Sequence, residues 1–182
     1  MPDVTESAGL SPAYHLRLDT LIRLRWLAVA GQTAAVVGVF FGLGVELPLG
    51  FCLIAILASA ALNIFLRLVY PVTERLETRR AAMLLGFDIV QLAILLALTG
   101  GLENPFAMLF LAPVLISATS LPPLPTTLLG FLAFVCVSLL AVFHLPLPWP
   151  GGEVFHVPEL YVAGVWFAIC LALGFIGIYA WR

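Results

Sequence analysis

The sequence predicts an all-α fold, a polytopic membrane bundle of six transmembrane helices with both termini in the cytoplasm, and three observations carry that reading. Hydrophobic residues make up 63% of the 182-residue chain and charged residues 10%, with a mean hydropathy of +1.14, a composition that excludes a water-soluble globular domain. The apolar residues fall in runs close to the ~20 residues that a helix needs to cross ~30 Å of hydrocarbon, and they lack the two-residue alternation of barrel strands. All eight basic residues are arginines: Arg17, Arg23, Arg25, Arg67, Arg75, Arg79, Arg80 and Arg182. Threading six spans leaves every one on the same side, which the positive-inside rule makes the cytoplasm.

Residues 1–25 read as a cytoplasmic arm in which Tyr14 to Arg25 form an amphipathic helix along the inner interface. Its apolar face carries Tyr14, Leu18, Leu21 and Ile22, with the arginines in water or against anionic headgroups. The acids and arginines among the first 24 residues exclude a cleaved signal peptide. The transmembrane domain, 26–182, follows. Uncharged runs place the first two spans at about 26–45 and 47–66, and the polar hairpin YPVTERLETRR separates them from a third at 81–99 that contains one acid, Asp88. No charge occurs between Asn104 and Gly152, too long for one helix. The prolines of SLPPLP at 120–125 break that stretch into spans at about 106–120 and 125–143, because consecutive prolines remove backbone donors. After the Pro- and Gly-rich HLPLPWPGGEVFHVPE the sixth span runs over 160–181. The sequence ends one residue later, as expected of a membrane domain that continues into something else.

The heptapeptide GGLENPF at 100–106 connects spans three and four on the outer side. Gly100 and Gly101 suit positive φ at a helix C-terminus, Asn104 suits an N-cap, and Pro105 suits the first turn of the next helix. Those roles alone account for a helix hairpin. A second reading is also open: backbone N–H groups exposed at a glycine turn, the Asn104 amide and the flat face of Phe106 suit a planar headgroup with carbonyl oxygens, and Glu103 is placed to exchange protons with it.

Counted from the cytoplasmic ends of their spans, Gln32, Asn63 and Asp88 lie at similar depths, with Gln91 one turn further on the face of Asp88. An intramembrane carboxyl costs a few kcal/mol or more. These four residues are expected to form a buried polar cluster, either packing the helices or relaying a conformational or protonation change. Cys52, Cys136 and Cys170 lie inside apolar runs without metal-ligand spacing and read as small hydrophobes. His15, His144 and His156 fit no ligand pattern, so no metal is expected.

GGLENPF matches the GGxxNPF signature of the membrane domain of RegB/PrrB-type redox-responsive sensor histidine kinases, with Leu102 and Glu103 at the variable positions. The segments LRLDTLIRLRWLAVAGQ (16–32), ALNIFLRL (61–68) and FDIVQLAILLALTGGLENPF (87–106) also resemble that family's six-span region, so the likeness covers nearly the whole chain. It implies a domain of the bacterial inner membrane that binds ubiquinone at Gly100, Gly101, Leu102, Glu103, Asn104, Pro105 and Phe106. It further implies reporting of the redox state of the quinone pool to a cytoplasmic kinase, with a homodimer and a response regulator as partners and no nucleic acid. The family's phospho-acceptor histidine, its ATP-binding elements and its redox-active cysteine find no counterpart in these 182 residues, so catalytic residues are not expected here. The alternative class is a small-solute transporter or channel built around Asp88; the absence of internal repeats and of paired broken helices argues against it.

Overall fold

The computed structural model describes residues 18–71, 76–146 and 157–182, and among them the chain forms six principal helices and no strand. They are α1 (Leu18–Val37), α2 (Leu49–Val69), α3 (Thr78–Ala97), α4 (Leu111–Ser120), α5 (Pro123–Leu140) and α6 (Glu159–Ala180). All but α4 are long and apolar enough to cross a membrane. The fourth apolar segment, Pro105–Ser120, is shorter, but its first turns, Pro105–Phe110, are 3-10 helix. A 3-10 helix rises ~2.0 Å per residue against 1.5 Å for an α-helix, so the segment reaches about 27 Å, close to the hydrocarbon thickness.

Helix α1 begins at Leu18 and continues unbroken through the expected first span, ending in a π-helical turn, Gly38–Gly42. The stretch expected to lie along the interface is, from Leu18 onward, continuous with the helix of the expected first span. Leu18, Leu21 and Ile22 pack in the protein core with Leu66, Leu76 and Ala81. Two neighbouring charges of this segment are neutralised locally, since Arg23 Nε lies 2.8 Å from Asp19 Oδ2 one helical turn away. Tyr14, His15 and Arg17 lie outside the described residues, as do Arg75, Trp149, Glu153 and His156.

Two packing units divide the bundle. The larger core joins α3, α4, α5 and α6 around Leu85, Ile89, Leu96, Leu102, Phe110, Val114, Val137 and Ile169, and the foot of α1 reaches into it. A smaller cluster, Val29, Val36, Cys52, Ile56 and Leu95, binds α1 and α2 to α3. Cys52 is buried, and Cys136 and Cys170 are partly so; all three are free thiols. Helix ends are tied by local contacts. The Trp181 indole donates to Thr127 Oγ1 at 2.9 Å, joining the end of α6 to the start of α5, and the Leu145 amide donates to the Ala97 carbonyl at 2.8 Å, satisfying an orphan acceptor at the end of α3. Leu27, Phe51, Leu68, Phe131, Leu160 and Phe175 are more than half exposed, and for a membrane protein these surfaces face acyl chains.

Candidate functional site

The two helices that carry the candidate residues have matching stripes. On α3, Leu85, Asp88, Gln91, Leu92, Leu95, Leu96 and the following Thr99 recur every three or four residues, which puts them on one face. On α1 and the π-helical turn that follows it the same spacing selects Leu21, Arg25, Ala28, Gln32, Ala35 and Val39. Between these faces, with the start of the fourth segment as the other wall, lies a cleft of about 730 Å³. Its rim includes the exposed apolar side chains Leu24, Leu27, Phe106 and Leu109. One end is the GGLENPF turn and the other is the arginine-bearing end of α1, so Glu103 to Phe106 of the turn and Gln32, Asp88 and Gln91 of the polar group open onto one space, whereas Asn63 does not.

At the turn the seven residues divide by role. Gly100 and Gly101 have φ of +100° and +57°, conformations in which a Cβ is strained. A Cβ on Gly101 would lie only 2.6 Å from the His144 ring, so this glycine also makes room for the loop after α5. Leu102 is fully buried in the main core. Asn104 closes the hairpin: its Oδ1 accepts from the Phe106 amide at 2.9 Å, and its Nδ2 donates to the Thr99 carbonyl and to Thr99 Oγ1, both at 3.0 Å. Thr99 Oγ1 in turn donates to the Leu95 carbonyl at 2.8 Å. Glu103, Asn104, Pro105 and Phe106 line the cleft, whereas Gly100, Gly101 and Leu102 do not. Phe106 is 45% exposed and presents the turn's apolar face.

Deeper in the cleft the expected polar cluster is arranged as separate contacts. Gln32 and Gln91 form a reciprocal amide pair, at 3.3 Å and 3.0 Å, and Gln91 Nε2 also reaches the Ala55 carbonyl at 3.4 Å, so one pair links α1, α2 and α3. Asn63 meets none of the other three; its Nδ2 donates to the Ile22 carbonyl at 3.0 Å, holding α2 against α1. Asp88 forms an ion pair with Arg25, Nε to Oδ1 at 2.9 Å. Arg25 was expected at the interface with the other arginines, yet it is 3% exposed. Its guanidinium lies 5.3 Å from the centre of the Phe87 ring. The partners of the two links are seven residues apart on α1 and three apart on α3, a mismatch of about 6 Å at 1.5 Å per residue that the long arginine side chain takes up. Thr99 and Arg25 are the two site residues the sequence reading missed. A signal for Arg25 existed: an acid inside the third span calls for a counter-charge at similar depth.

A bundle of apolar helices enclosing a lateral cleft with polar groups at intervals defines a polytopic membrane domain. Over nearly its whole length the chain is similar to sensor histidine kinases of the RegB type. It is 47% identical over 166 residues, 91% of its length, to the sensor histidine kinase RegB of Cereibacter sphaeroides, and 47% identical over 167 residues to a second RegB sequence of that species. It spans 36% of the length of each of these relatives. No protein-family model matches the chain, and no solved structure does.

Proposed function

We propose that this region is the membrane sensor domain of a histidine kinase and that it binds a quinone in the cleft, with the ring at the GGLENPF turn and the isoprenoid tail along the apolar stripe of α1 and α3. The observation that carries the reading is that Glu103, Asn104, Pro105 and Phe106 form one end of a largely apolar cleft of about 730 Å³ whose rim is made of exposed apolar side chains. A lipid-soluble ligand enters such a space laterally from the bilayer. Phe106 supplies the ring contact. Asn104, whose amide is committed to Thr99 and to the Phe106 N–H, holds the turn in shape. Oxidised and reduced rings shift the helix arrangement only by the difference in their affinities for the two states. In the parent protein the movement passes through α6 to a cytoplasmic kinase, which acts as a dimer on a response regulator, with both termini of this domain in the cytoplasm and ubiquinone as the quinone sensed.

The test is quinone binding to the purified domain in nanodiscs. Phe106→Ala is expected to weaken binding about ten-fold, the loss of one ring contact and its buried area, about 1.4 kcal/mol, with helicity and melting unchanged. Asn104→Ala is expected to lower stability by about 1 kcal/mol, the usual cost of losing such a cap. Unchanged binding by Phe106→Ala would remove the turn as the ring site.

A further inference from the structure

The arginine-bearing end of the cleft contains donors that nothing above employs. Arg25 is 97% buried, lines the cleft, and is ion-paired with Asp88 through Nε at 2.9 Å, yet none of its three guanidinium nitrogens has a well-aligned hydrogen-bond acceptor among the described residues, and Nη1 and Nη2 remain to be met. A buried donor left unpaired costs about 1–3 kcal/mol, more when charged. Phe87 backs the guanidinium. Gln91, one turn further along α3, and Gln32 of α1 are engaged with each other. The turn is the opposite case, since the Asn104 amide is met by Thr99 and the Phe106 amide.

We propose that this end of the cleft is a second binding station, in which Nη1 and Nη2 of Arg25 donate to the neutral carbonyl oxygen of a lipid-soluble ring ligand. Charge selects the class. Asp88 already balances Arg25, so a phosphate or carboxylate would bring an uncompensated charge into an apolar space, whereas a carbonyl oxygen satisfies the donors without adding one. Around Arg25 the cleft is walled by Leu21, Leu24, Ala28, Leu85 and Leu92, which suits the apolar body of a ring. Asp88 and Ala97, at the end of α3, are nine residues apart, about 14 Å at 1.5 Å per residue, and the turn lies beyond, so one head does not occupy both ends. The identity of the ring as a quinone rests on the function proposed above; the station itself rests on Arg25.

An azido-quinone photolabel, applied to the domain in nanodiscs of ether-linked lipid, tests this directly, because such lipids contribute no ester carbonyls. Labelled peptides are mapped by mass spectrometry for wild type and for Arg25→Met/Asp88→Leu, a double change that removes both charges and strands neither. Two labelled regions are expected, one in residues 21–28 and 85–92 and one in 103–109. The double variant is expected to reduce the first about ten-fold, the loss of one charge-assisted hydrogen bond, and to leave the second. Label in the first region that is absent, unchanged in the double variant, or displaced by added ether-linked phosphatidylglycerol overturns the station, the last outcome marking an anion site instead. Label at 103–109 alone sinks the station and keeps the proposed function. Label at 21–28 and 85–92 alone does the reverse for the turn, and no label in either region removes both.

Discussion

The two ends of the cleft solve the same problem in opposite ways. At the GGLENPF turn, groups close together in sequence satisfy one another: Asn104 is five residues from Thr99 and two from Phe106, and their hydrogen bonds complete within the hairpin. At the other end the contacts cross between helices, and the partners of the Arg25–Asp88 and Gln32–Gln91 links are 63 and 59 residues apart. The turn is consequently a local structure that keeps its shape whatever α1 does. The inter-helix contacts exist only while α1 and α3 keep their register, so they are the part of the site that a helix movement must break or remake. Shape belongs to one end and sensitivity to helix position to the other.

The largest test of that contrast falls on the ion pair. Arg25→Met alone leaves Asp88 as a buried charge without its partner and is expected to destabilise the domain by about 3–5 kcal/mol, whereas Arg25→Met/Asp88→Leu is expected to stay within about 1 kcal/mol of wild type, because two apolar side chains replace two desolvated charges. Denaturant titration in a mild detergent, followed by circular dichroism, separates the two. A double variant as unstable as the single one would mean that the pair holds α1 and α3 together by more than mutual neutralisation.

The turn offers the next largest effect, and it is steric. Gly101→Ala requires a side chain at φ +57° and places its Cβ 2.6–2.8 Å from three atoms of the His144 side chain, Cγ, Cδ2 and Cβ. The left-handed backbone alone costs about 1–2 kcal/mol, and displacement of His144 adds to it. Adding His144→Gly, which removes all three of those atoms, is expected to restore the part due to the collision and leave the backbone part. Full recovery in the double variant would show that contact with the loop, and not backbone conformation, fixes the glycine at 101.

The all-α membrane fold was legible because crossing a bilayer constrains composition more tightly than any fold constrains a soluble chain: long apolar runs and one-sided arginines left few alternatives. The glycines, proline and amide of the turn were legible for the same reason that the turn is stable, since their partners are neighbours in sequence. The phase of α1 was not. The charges Asp19, Arg23 and Arg25 made residues 18–25 look like an interfacial segment. In the folded chain Asp19 and Arg23 neutralise each other one helical turn apart, and Arg25 turns inward to Asp88. Depth along a span can be counted from a sequence, and on that count Gln32, Asn63 and Asp88 are level. Rotation about the helix axis decides which of them meet, and it is set by packing with α2 and α3. Asn63 therefore faces a backbone carbonyl of α1 and Asp88 faces a residue assigned elsewhere.

The amide pair gives the smallest and sharpest comparison. Gln32 and Gln91 resemble Arg25 and Asp88 in joining the same two helices, but they are neutral, and each amide is both donor and acceptor to the other. Removing one leaves an unpaired dipole in place of an unpaired charge, and Gln91 retains its contact with the Ala55 carbonyl. A double-mutant cycle with Gln32→Leu and Gln91→Leu is therefore expected to give a coupling energy of about 0.6 kcal/mol, the average for polar contacts between membrane helices, and less than about 1.7 kcal/mol, the upper end of that range. A coupling in this range assigns the pair to helix register, with the energetic weight of the α1–α3 contact on Arg25. A coupling that matched the cost of Arg25→Met would reverse that assignment, because neutral groups would then be holding the helices as strongly as charged ones, and sensitivity to helix position would reside one turn nearer the GGLENPF end.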